Sequence, residues 1–208
     1  MLSTQRERLM PEETPTSARL EAFSDGVIAV IITVMVLEIK VPHADGFEGL
    51  RALAPGLAVY LMSFAFTGIY WLNHQHLIRR TKRASHSLQI ANLGFLFCLS
   101  LLPLSTAYVV EKQLSGFAVA VYADSLLIVA LSFMWVRLAV QVVLKRRNEL
   151  TDEDSKGVRN HLFSIFLYVG SAVMALLFPK LVLCFIALLT FIWMLPNLSL
   201  SQVRRQRN

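Results

Sequence analysis

Four stretches of this sequence, residues 52–78, 84–110, 160–179 and 181–203, contain no Asp, Glu, Lys or Arg, and a fifth, 113–136, contains only Asp124. Each is long enough for the roughly 20 apolar residues with which an α-helix crosses a bilayer. A chain of 208 residues that is 55% hydrophobic and 16% charged, with a mean hydropathy of +0.55, carries more apolar surface than one soluble core can hide. The expected solvent is therefore the lipid bilayer, and the expected fold class is an all-α integral membrane protein.

The opening apolar segment is shorter. Between Asp25 and Glu38 only residues 26–37 are uncharged, a rise of about 18 Å as a helix. Such a helix suits a place shielded from lipid by its neighbours, or lining water. Counting it gives six expected spans, at about 20–38, 52–78, 84–110, 113–136, 160–179 and 181–203, within a membrane domain 19–203. Residues 1–18 form an expected cytoplasmic N-terminal segment and 204–208 a cytoplasmic tail. The first twenty residues hold charges and two prolines but no apolar stretch of the kind a cleaved leader carries, so the first helix is expected to be retained.

The net charge of +6 suggests nucleic acid only until the basic residues are located. Sixteen fall before the first span, in the second and fourth connections, or after the last span, against four on the alternate side: Lys40, Arg51, Lys112 and Lys180. This asymmetry predicts both termini in the cytoplasm and no nucleic-acid partner. Cys98 and Cys184 belong to no metal-binding spacing and read as packing residues.

No pattern of nucleophile with base, and no His-Glu-x-x-His pair, marks an enzyme, and no cofactor is expected. His74 and His76 are two residues apart and so face different ways on a helix, which argues against a shared metal. Asp124 near the start of its span reads either as a functional carboxylate or as an interfacial one.

On the first helix, Val30, Thr33, Val34 and Leu37 fall within an arc of about 100°, and Asp25 points about 140° from its centre. Around a symmetry axis the arc would make a narrow hydrophobic constriction that gates by dewetting. Periodicity alone equally describes, and favours, a stripe packed on neighbouring helices. Arg19 and Asp25 read as an ion pair at the membrane boundary on the same terms.

The string Arg19-Leu20-Glu21-Ala22-Phe23-Ser24-Asp25-Gly26-Val27, followed by Ala29, Thr33, Val36 and Leu37, resembles the first-helix signature of the transmembrane protein 175 family of potassium channels. Trp71-Leu72-Asn73-His74 resembles the Trp-x-x-His of that family's second helix, and Asn92-Leu93 with Leu102-Pro103 its third. The resemblance implies a prokaryotic single-repeat member in the cell membrane, a homotetramer passing potassium ions along its axis. Carried over position by position, the constriction falls on Val30, Thr33 or Val34, and Leu37. The family more often has Ile or Leu where Val30 stands, so this ring is expected to be wider. The filter string Thr-Val-Gly-Tyr-Gly is absent from the chain, so no cage of filter carbonyls of the usual form is expected. The resemblance assigns Arg19, Phe23, Ser24, Asp25, Trp71, His74 and Asn92 to a polar network that joins the first three helices. Some members carry a His-His pair where this chain has His74-Gln75. The alternative reading of the residues is a proton channel or proton-coupled cation transporter using Asp25, Asp124 or His74.

Overall fold

The computed structural model describes residues 17–205, with side chains described through Met194. Residues 1–16 of the expected N-terminal segment and 206–208 of the expected tail lie outside the described residues. The regular elements among those described are seven α-helices: α1 (Ser17–Leu37), α2 (Gly46–Arg79), α3 (His86–Ser100), α4 (Leu102–Glu111), α5 (Gly116–Arg146), α6 (Asp152–Ala175) and α7 (Pro179–Arg205). Among the described residues four helical segments are long and apolar enough to cross a membrane: α1, α2, the pair α3–α4, and α5. Along α7 the described side chains cover the apolar stretch Pro179–Met194, and α6 opens with Asp152, Glu153 and Asp154.

The third expected span is two helices. The break at Leu101 follows from Pro103, which has no N–H to bond the carbonyl of Leu99 and lies in the first turn of α4. At 34 residues α2 is about 50 Å long, more than the hydrocarbon core requires, and α5 continues to Arg146, ten residues beyond the expected end of its span. These extensions carry Arg79 and Arg137 on helix, where charge counting assigned them to connections.

Local chemistry sets the ends. Ser85 and Ser115 accept hydrogen bonds from the backbone N–H of Leu88 and Ala118, capping α3 and α5. Thr151 and Asp154 form a reciprocal capping box on α6. After α4, Gln113 and Leu114 adopt φ of 50° and 57°, and the Leu114 N–H reaches back to the Val109 carbonyl at 3.0 Å. Asn148, at φ 54°, closes α5 in the same manner with Glu149 N–H on Leu144 O at 3.0 Å.

In the packed chain α5 lies at the centre, against α3, α4 and α6 and in smaller contact with α2 and α7, while α1 packs on α2, α3 and α4. Tyr122, Phe66, Phe95 and Phe133 are the largest fully buried side chains. A hydroxyl cluster pins α2 to α4 and α5: Ser63 Oγ lies 2.9 Å from both Thr106 Oγ1 and Tyr122 Oη. It satisfies three hydroxyls that the apolar surroundings would otherwise penalise.

Candidate functional site: the two faces of the first helix

Ser24, Ile28, Ile31 and Met35 are the buried residues of α1. Their spacing of three and four defines one face, and it is packed within the chain. Two polar links fasten this side near its N-terminal end. In the first, His74 Nε2 lies 2.6 Å from Asn92 Oδ1, Asn92 Nδ2 donates to Ser24 Oγ at 2.9 Å, and Ser24 Oγ donates to the Leu20 carbonyl at 2.8 Å. His74, Asn92 and Ser24 have no solvent exposure, and the His74 ring stacks on Phe95 with centroids 5.7 Å apart. Donors and acceptors alternate along this chain when His74 carries its proton on Nε2, so each bond polarises the next.

In the second link Asp25 accepts from Trp71 Nε1 at 2.8 Å and from Gln75 Nε2 at 3.4 Å. One turn earlier Glu21 takes Arg79 Nε at 2.7 Å. Glu21 and Asp25 are four apart on α1, and Trp71, Gln75 and Arg79 are each four apart on α2. Two antiparallel helices therefore zip together by rows of residues one turn apart. Gln75 has a definite partner here, because an amide also supplies the N–H that the carboxylate needs. Neither Gln75 nor the Glu21–Arg79 pair stands out in the linear sequence, although the shared spacing of four is the trace they leave there.

Two residues expected in the network lie elsewhere. Arg19 is exposed, and Phe23 is 53% exposed, on the side of α1 away from Ser24. That opposite side is uncovered within the chain: Val30 is 60% and Leu37 80% exposed. Thr33 is exposed too, its hydroxyl donating to the Val30 carbonyl at 2.9 Å, while Val34 is half-buried at the edge of the stripe. Ala22, Gly26 and Ala29 are exposed among them, and small residues let helices approach closely. Asp124 is exposed on α5 and takes no part in either link. Among the described residues no group of three or more His, Cys, Asp or Glu is placed to hold a metal ion.

Fold and site together define a multi-span helical membrane protein whose first helix is fastened on one face and left open on the other. Residues 19–103 match the family described as endosomal/lysosomal potassium channel TMEM175. A potassium channel from Chryseobacterium sp. (strain P1-3) is 35% identical over 182 residues, covering 88% of this chain and 94% of that one. The mouse endosomal/lysosomal proton channel TMEM175 is 35% identical over 112 residues, 48% of this chain and 21% of that one. Among solved structures, a Chamaesiphon minutus homologue of the lysosomal potassium-selective channel TMEM175 superposes with a TM-score of 0.75 at 28% identity, covering 86% of this chain and 97% of that one. The chain belongs to the TMEM175 family.

Proposed function

We propose that this protein is the subunit of a homotetrameric, potassium-permeable channel of a prokaryotic cell membrane, crossing it six times with both termini in the cytoplasm. The observation that carries the reading is the division of α1: its Ser24 and Asp25 side is fastened to α2 and α3, while Val30, Thr33 and Leu37 face outward from the chain. Four such faces brought to one axis make stacked rings of branched side chains, with the Thr33 hydroxyl as the side-chain oxygen on the path. The wall is dry, and conduction then depends on how readily water and a partly hydrated ion enter it. The names of the bacterial relative and of the structural neighbour support potassium as the ion, and the lysine and arginine asymmetry supports the orientation. Purified protein in liposomes is expected to dissipate a potassium gradient; liposomes that hold the gradient at every voltage and pH sink the proposal.

A second reading, proton permeation or proton-coupled transport, rests on the name of the mouse relative and on the buried imidazole of His74 beside the Asp25 link. Reversal potentials under separate potassium, sodium and proton gradients distinguish the two. A proton-determined potential abolished by Asp25→Asn in folded protein selects the second.

A further inference from the structure

On the far side of α2 from the first helix, a cavity of about 270 Å³ opens between α2, α5, α6 and α7. Its walls are mixed: Phe66, Tyr70, Phe133 and Tyr168 supply rings, and Asn73 and Asn160 supply amides. Arg137 projects into it from α5. Among the described residues Arg137 makes no ion pair, and its Nε is buried without a hydrogen-bond partner. The guanidinium carbon lies 5.8 Å from the Phe133 ring centroid, and the carboxylate of Asp154, already hydrogen-bonded to Arg80, attracts it without bonding to it. The space it occupies is reserved by Gly157, where a Cβ would lie 2.5 Å from Nη1. A guanidinium held in a partly apolar cavity with an idle donor is costly unless an acceptor meets it.

The charges around the mouth narrow the choice of acceptor. The second arginine on the wall, Arg80, is already consumed by a two-pronged ion pair with Asp154. Glu153 adds a further negative charge. A guanidinium without an ion-pair partner, in a lining where two acids already balance two arginines, admits at most a single negative charge and repels a dianion. The rings and the volume fit a small apolar body attached to that charge.

We propose that this cavity binds a small monocarboxylic acid with an apolar body, its carboxylate on the Arg137 guanidinium, and that occupancy is felt at the first helix. The path is short: Phe133 packs edge-on against Tyr70, with centroids 5.0 Å apart, and against Phe95, at 5.2 Å, and Phe95 in turn stacks on His74 of the α1 link. Coupling to flux rests on the channel reading above; binding does not.

Binding is read from the thermal unfolding of the full chain in nanodiscs at about pH 8.5, with 3-phenylpropionate as the water-borne probe, laurate as the membrane-borne one and inorganic phosphate, a dianion at that pH, as the control. One or both acids are expected to raise Tm by several degrees in a saturable way, and phosphate to leave it unchanged; the effective probe names the source. Arg137→Gln is expected to abolish the shift, and Gly157→Ala, a smaller change that displaces the guanidinium, to weaken it at least tenfold. No shift with either acid, an equal shift in both variants, or a larger shift with phosphate overturns the site. At saturating probe, potassium flux from liposomes should change at least twofold in wild type and stay constant in Arg137→Gln. Unchanged wild-type flux despite a saturated thermal shift overturns the coupling. Absence of flux with and without probe, beside an intact shift, instead faults the channel reading.

Discussion

His74 and Asn92 meet across the seam of α2 and α3 at 2.6 Å, and the same amide reaches Ser24 on α1 at 2.9 Å, so one side chain holds three helices in register. Removing it strands a buried imidazole N–H and leaves the buried Ser24 hydroxyl with the Leu20 carbonyl alone. Asn92→Leu, close in size, is expected to cost about 2–3 kcal/mol and to lower Tm in detergent by roughly 5–10 °C for a chain of this length. A variant melting with wild type would show that the link carries no stability.

Asp25 has two donors, and they are expected to substitute for one another in part. Trp71→Phe and Gln75→Leu should each destabilise by about 1–2 kcal/mol, whereas the double variant should lose more than their sum, since the carboxylate then keeps neither donor. Thermal denaturation of all four proteins measures this coupling. Simple additivity would mean the two bonds act independently.

Acid should probe the Arg80–Asp154 pair. Burial of Asp154 works against its ionised form, but the hydrogen bonds from Arg80 and from the backbone and side chain of Thr151 outweigh this and hold its carboxyl down at about 2. Because the folded-state value lies below the unfolded one, the stabilisation is complete above about pH 4 and disappears as pH falls through about 2. It amounts to roughly 2 kcal/mol. Stability measured across that window should fall in wild type and be flatter in Asp154→Asn; parallel curves would exclude the pair as a source of acid sensitivity.

Leu37 is 80% exposed, against 60% for Val30. If its ring sets the dewetting barrier, Leu37→Ser should raise single-channel potassium conductance about twofold or more, with little change in Tm because most of the side chain is left uncovered by its own chain. Unaltered conductance would move the constriction elsewhere along α1.

The turn from α6 passes close over the start of α5. A Cβ on Gly116 would stand 2.9 Å from the Leu176 carbonyl oxygen and 3.1 Å from that of Ala175, both backbone atoms that cannot rotate away. Gly116→Ala should therefore cost about 1–3 kcal/mol through displacement of the helix pair, a loss visible in chemical denaturation.

Much of this site is written in spacing. Val30, Thr33 and Leu37 share a face because the helical period is a local property, and the structure leaves that face uncovered. Ser24, Asp25, Trp71, His74 and Asn92, which the family resemblance groups, are brought together in two separate links rather than one network. Arg19 and Phe23 are adjacent to those residues in sequence yet lie apart in space, since a step of one to five residues around a helix can turn a side chain to the opposite side. Arg137 shows the limit from the other direction. A count of charges places it in a connection, but α5 continues through it, and only the convergence of α2, α6 and α7 makes its surroundings a cavity.

By itself the sequence determined the solvent of this protein, the existence of its membrane-length helices and the division of α1 into an apolar arc and a polar side. These follow from hydropathy and from a period of 3.6 residues, quantities that each segment carries alone. Which helix each face meets was decided only by tertiary structure. The partners of Asp25 lie 46 and 50 residues away along the chain, and a hydrogen bond requires a distance and a direction that no single helix can specify.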